Sequence, residues 1–171
     1  PCCPLLEGLM SLDLFRIDER LLHGQVIVGW GMRLHIDYYV IVDNEVAANA
    51  WESDLYSAGL PTGVDAHFVS VADAVARFEE LDAYPGRGAL LTRNPRAMRE
   101  LAEAGLLEGR RVNVGGMHAG ERRRRVLPYV HLSTTEVSDL EAIAERSSKI
   151  TARDLPAARE VPLEELVRAA R

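Results

Sequence analysis

Apolar residues along the chain fall into short unbroken runs separated by stretches in which they recur every three or four positions. Leu12, Leu14 and Ile17 mark a first strand, and from Gly24 onward Val26, Ile27 and Trp30 recur at roughly helical spacing to about Arg33. Tyr38 to Val42 (YYVIV) is a compact apolar run closed by Asp43 and Asn44, the pattern of a buried parallel strand followed by a helix cap. Val46, Ala47, Ala50, Trp51, Leu55 and Leu60 then keep helical spacing until Pro61, Thr62 and Gly63 break it. A short strand is expected at Ala66 to Val69, a helix capped by Ser70 through Leu81, and a strand at Ala89 to Thr92 after the turn Tyr84 to Gly88. Asn94 and Pro95 open a further helix in the favoured cap-then-proline order, ending near Gly105.

The second half continues the alternation. Val112 to Val114 reads as a strand followed by Gly115 and Gly116, and Val126 to Leu132 as another. Ser133 or Thr134 caps a helix from Glu136 to Arg146, Ile150 to Arg153 makes a short last strand, and Pro162 to Arg171 a terminal helix. Repeated βα units predict an α/β fold: a three-layer, doubly wound, mainly parallel sheet with helices on both faces, in a single domain. Strand order is not legible from this pattern, and the last strand is compatible with either direction.

Composition narrows the class. The 171 residues suffice for one domain with its own core, and 47% hydrophobic with 27% charged residues describes a soluble globular chain. A formal charge of −6 argues against a general nucleic-acid binder. No apolar run approaches the roughly 18 residues that span a bilayer. The start, PCCPLLEGL, lacks the features of a signal peptide, and residues 1–9 are expected to be an upstream extension or cloning remnant before a domain at residues 10–171. Cys2 and Cys3 are adjacent and have no further cysteine to pair with or to complete a zinc site.

Candidate chemistry concentrates between Phe15 and Trp30, FRIDERLLHGQVIVGW, where a strand's carboxyl end turns into a helix. In open α/β sheets ligands bind at that crevice, and the first free N–H groups of a helix favour an anion. A neutral imidazole is a good nucleophile near pH 7. His23 has that role on offer, the N–H groups of Gly24, Gln25 and Val26 would lie at the helix mouth, and Arg20 supplies a guanidinium fork suited to phosphoryl oxygens. The plainer alternative is a histidine that caps a turn, and residue type and spacing leave the two open. Asp18 suits either orienting the imidazole and holding Arg20 or capping the turn after the strand. Arg16 alternates with Phe15 and Ile17 and points either to the crevice or to solvent; Gln25 either bonds an anion or begins the helix.

RIDERLLHGQV resembles the active-site signature of the mannose-type (also fructose- and sorbose-type) enzyme IIB of the bacterial sugar phosphotransferase system, with Glu19 where a second aspartate is usual. RVNVGGM, Arg111 to Met117, resembles a second recurring segment of that family, and the likeness extends over nearly all the chain from Met10. The resemblance implies that His23 carries a phosphoryl group, with Arg20 and Asp18 as its chief helpers and Gly24, Gln25 and Arg16 as phosphoryl-binding candidates. It implies a phosphohistidine-bearing IIA protein as donor, membrane components IIC and IID with a sugar as acceptor, and no cofactor or metal. A cytoplasmic protein held at the inner face of the membrane through IIC and IID is expected; a homo-oligomer is left open. Two other readings keep part of this picture: a regulatory phosphoprotein using the same histidine, and a non-catalytic anion-binding α/β module.

Three further features are weaker. Gly115 and Gly116 read as a tight turn needing positive φ, or as backbone brought close to a phosphoryl group. The run Arg122 to Arg125 reads as a solvated turn or an acidic-partner dock. His35, His67, His118 and His131 have no metal-ligand spacing, and only His118 lies near the expected active edge.

Overall fold

The computed structural model describes residues 11–147 and 149–171, so the expectation for residues 1–9 lies outside the described residues. The strands are β1 (Leu12–Ile17), β2 (Tyr38–Val42), β3 (Asp65–Val69), β4 (Gly88–Thr92), β5 (Arg111–Val114), β6 (Arg124–Leu127), β7 (Val130–Leu132), β8 (Lys149–Ala152) and β9 (Val161–Pro162). Seven of them form one sheet in the order β3-β2-β4-β1-β5-β8-β9, parallel throughout except where β9 runs against β8. The strand expected at Ile150 to Arg153 is therefore parallel, and the antiparallel edge is the two-residue β9, too short to leave a periodic signal.

Side chains alternate between the two faces of the sheet, and each face has its own core. Phe15, Ile17, Val40, Leu90, Val112 and Val114 pack in one cluster with Met98 and Leu101 of α5 (Pro95–Glu103), Val137 and Leu140 of α6 (Thr134–Ala144), and Leu166 of α7 (Leu163–Ala170). Leu14, Tyr39, Ile41, Ala89 and Leu91 pack on the other side with Val26 and Trp30 of the helix that follows β1, and with Val46 of α1 (Asn44–Ala47). The three-layer arrangement follows from these two apolar faces.

Several elements differ from the sequence expectation. The helix after β1, Gln25–Met32, is wound as a π-helix. Its sequence, QVIVGWGM, mixes β-branched residues with two glycines and is a poor α-helix former, so packing decides its winding. The helix expected from Val46 to Leu60 is two helices, α1 and α2 (Ala50–Ala58), because Asn49 adopts extended angles and accepts a hydrogen bond from Glu52 N as a new cap. Trp51 and Leu55 consequently face solvent, 72% and 60% exposed, despite their helical spacing. Arg77 divides the next helix into α3 (Val71–Ala76) and α4 (Phe78–Asp82). The strand expected at Val126 to Leu132 is the hairpin β6–β7, turned at Pro128, which has no N–H to give to a ladder.

Tyr38 and Tyr39 give a test of the packing. The Tyr38 hydroxyl donates to Leu81 O at 2.8 Å and bonds Ser11, whereas the buried Tyr39 hydroxyl, against Gly31 of the π-helix, has no partner among the described residues. Burial pushes the Tyr39 phenol up to about 12. Tyr38→Phe should cost on the order of 1 kcal/mol in urea denaturation, and Tyr39→Phe should cost nothing or stabilise, because an unsatisfied buried hydroxyl is a liability.

Candidate functional site

The site forms where β1 leaves the sheet between β4 and β5. Asp18 N donates to Thr92 O on one side and Glu19 N to Gly116 O on the other, both at 2.9 Å, so the chain stays pinned for two residues past the strand. It then reverses: Leu21 N donates to Asp18 O at 3.0 Å, and Leu21 takes a left-handed φ of 50°. A leucine is uncommon there, and its burial with Leu22 in the core beneath the π-helix holds the turn in place. His23 emerges from this reversal at the mouth of the helix with 13% of its side chain exposed, and its carbonyl accepts from Val26 N and Ile27 N.

Alternation along β1 places Arg16 and Asp18 on the same face as Leu14, under the π-helix. Both are fully buried. Arg16 Nη2 meets Asp18 Oδ2 at 2.8 Å and Nε donates to the same oxygen at 3.2 Å. Its Nη1 donates to Asn113 Oδ1 and, at 2.8 Å, to Arg153 O, while the guanidinium lies 5.1 Å from the centre of the Trp30 ring. Trp30 is held in turn by a 2.8 Å hydrogen bond from its Nε1 to Asp154 O, and Arg153 stacks on the same ring at 5.4 Å. Arg16 is thus enclosed by protein, which corrects the expectation that it binds a phosphoryl group. Burial lowers its pKa and the Asp18 carboxylate opposes that shift.

Asp18 is the hub of these contacts. Its Oδ2 also accepts from Gly116 N at 3.1 Å, and its Oδ1 accepts from Arg20 N at 3.2 Å and lies 3.1 Å from His23 Nε2. Burial pushes this carboxyl up, but the His23 hydrogen bond, the Arg16 charge and the Gly116 N–H outweigh it and hold the pKa at about 2. The carboxylate is ionised at neutral pH, so the imidazole nitrogen facing it is the one that carries hydrogen. In the neutral ring that arrangement leaves the lone pair on Nδ1.

The double glycine serves this pair. Neither residue has positive φ, which corrects the turn reading. A Cβ on Gly115 would instead overlap Arg16 Nη2 and Cζ and stand 2.5 Å from Asp18 Oδ2, so only glycine lets β5 pass the ion pair. Asn113 is opposite Arg16 in register, and Thr151 opposite Asn113, giving a buried polar row across three strands. Sequence reasoning missed this row, along with Trp30, Arg153 and Asp154. Asn113, breaking the apolar run RVNV of a central strand, was the available signal.

Arg20, Gly24 and Gln25 are exposed beside His23, and Arg20 Nη2 donates to Gln25 Oε1 at 2.8 Å. Glu19 turns the other way: its carboxylate takes His118 N and His118 Nδ1 at 2.8 Å each and pairs with Arg123, which also pairs with Glu136. Burial raises the Glu19 pKa, and the donors of His118 and Arg123 more than reverse it. Arg123 is therefore internal to the fold, and His118 belongs to the loop bordering the site. Among the described residues no group of three or more His, Cys, Asp and Glu side chains is arranged to hold a metal.

The model of the PTS system sorbose subfamily IIB component matches residues 12–171. The chain belongs to this family. It is 31% identical over 150 residues to the fructose-specific EIIB component of Bacillus subtilis, covering 86% of this chain and 90% of that one. It is also 31% identical to the mannose-specific EIIAB component of Escherichia coli, over 84% of this chain but 44% of that longer protein. The solved N-acetylgalactosamine-specific IIB component 1 of Escherichia coli superposes with a TM-score of 0.78 at 27% identity, covering 88% and 97% of the two chains. The IIB fold therefore carries the His23 loop at the C-terminal edge of its sheet. Among its described residues no helix is long and apolar enough to cross a membrane.

Because the Asp18 pKa is depressed on folding, its stabilisation is complete above the ordinary value of 3.8 and is lost as pH falls toward 2. Denaturation midpoints of this IIB domain should therefore drop by the equivalent of about 2 kcal/mol across that window, and Asp18→Asn should remove this component of the pH dependence. Gly115→Ala should destabilise by about 3 kcal/mol or more, since it must displace a buried ion pair.

Proposed function

We propose that this IIB domain is the phosphocarrier of a sugar phosphotransferase system and that Nδ1 of His23 is the atom that carries the phosphoryl group. The observation supporting this most directly is the Asp18–His23 contact: an ionised, buried carboxylate occupies Nε2, and the opposite nitrogen belongs to a partly exposed ring at a helix mouth. Attack by the Nδ1 lone pair forms a P–N bond to His23 as the P–N bond of the donor phosphohistidine breaks. The donor imidazole leaves with its electron pair. The positive charge that develops on the His23 ring is met by Asp18, while Arg20, Gln25 and the first N–H groups of the helix, Gly24 included, face the phosphoryl oxygens. The chemistry asks mainly for positioning and charge stabilisation.

The donor in this reading is a IIA protein, and the acceptor is a sugar presented by IIC and IID, which would hold the domain at the inner face of the membrane. The activity is then that of a protein-phosphohistidine sugar phosphotransferase. Arg16 acts as a positioning residue, fixing the carboxylate that fixes the ring. Incubation with phosphorylated IIA protein should label the parent chain in an acid-labile, alkali-stable form and leave His23→Gln unlabelled; label persisting on that variant would refute the assignment. Arg20→Lys keeps the charge but loses the fork, and single-turnover transfer should slow by about 10²–10³. A rate within twofold of the parent would restrict Arg20 to a structural role.

A further inference from the structure

The outer face of the π-helix is apolar and uncovered. Val28 and Met32 are 60% and 65% exposed, and Leu155, itself partly exposed, lies against Gly29 with its Cδ2 2.6 Å from where a Cβ would stand. In a helix wound i to i+5, residues four or five apart share a face. Gly24, Val28, Met32 and Arg33 therefore form one exposed strip that starts next to His23. Exposed apolar side chains gathered on one strip mark an interaction site more than scattered ones do.

Many arginines of the chain are paired with carboxylates, as Arg93 is with Asp43 and Arg110 with Asp82. Arg20 at the head of the strip and Arg33 at its foot pair with no carboxylate among the described residues. A chain of formal charge −6 thus presents an apolar strip with a cationic rim beside its phosphoacceptor. A protein interface of ordinary size takes about 800 Å² from each partner, a disc reaching roughly 16 Å from its centre. Any domain that brings a phosphohistidine onto His23 must cover the first turns of this helix.

We propose that Val28 and Met32, rimmed by Arg20 and Arg33, are the docking surface for the phosphohistidine donor, whose complementary face is an apolar patch edged with carboxylates. This rests on the reading of His23 as phosphoacceptor and adds where the donor sits. The apolar pair supplies the contact area, and the arginines steer the encounter with a donor that carries a phosphoryl charge.

The test compares two donors on the full chain: a phosphorylated IIA protein and phosphoramidate, a small molecule that needs no docking surface. The double variant Val28→Asp/Met32→Asp should take label from phosphoramidate at the parental rate and from the IIA protein about 30-fold more slowly or worse. Arg33→Glu should slow the IIA reaction at low salt, with the difference shrinking as salt is raised. Parental rates from the IIA protein in the double variant would overturn the proposal. Loss of label from both donors would give the strip a structural role and overturn it as well. Sedimentation decides the remaining occupant: a parental dimer that the double variant converts to monomer would assign the strip to a second copy of this chain. A parent that takes label on His23 from neither donor would strike the phosphoacceptor reading itself, and the docking site with it.

Discussion

The ion pair of Arg16 and Asp18 is buried at the centre of the sheet's C-terminal edge, and most of the unusual features of the chain are arranged around it. Removing one partner of such a pair typically costs about 3–5 kcal/mol because the other charge is stranded. The surroundings are built to avoid that. Asn113 and the carbonyls of Arg153 and Asp154 take the remaining guanidinium donors, Gly116 N and Arg20 N take the remaining carboxylate lone pairs, and Trp30 closes the top. Gly115 leaves the space the pair occupies.

That rigidity passes outward through a short chain of contacts. β1 is flanked by β4 and β5, so Asp18 has little freedom, and the left-handed Leu21 with two buried leucine side chains fixes where the loop turns. His23 is set by one hydrogen bond to a carboxylate that cannot move. A mobile side chain at the surface would have to be ordered at each transfer, whereas this ring is already oriented, as the proposed role of His23 requires. Glu19 performs the corresponding task for the other wall, tying the His118 loop and Arg123 to the strand end, and its extra methylene over an aspartate suits that reach.

Much of the fold was legible because buried parallel strands leave compact apolar runs such as YYVIV, and because caps such as Asn94 before Pro95 mark helix starts locally. What escaped depends on distant partners. The π-winding of Gln25–Met32 and the outward turn of Trp51 and Leu55 are set by packing and by a mid-helix cap at Asn49, none of which alters the apolar spacing. The place of the histidine loop between a strand end and a helix was legible, but the burial of Arg16 was not: alternation says that Arg16 and Asp18 share a face and is silent on whether that face is covered. The double glycine was misread for the same reason, since its partner is a side chain about a hundred residues away in sequence.

The atom that bears the phosphoryl group is the point at which these contacts meet function. A ³¹P–¹⁵N correlation on ring-labelled protein, phosphorylated and then held at alkaline pH, reports that atom directly. The coupling is expected at Nδ1 of His23, with Nε2 still protonated toward Asp18 as it is before transfer. A phosphoryl group found on Nε2, or on any residue other than His23, would contradict the assignment of Asp18 as the group that reserves one nitrogen and leaves the other to react.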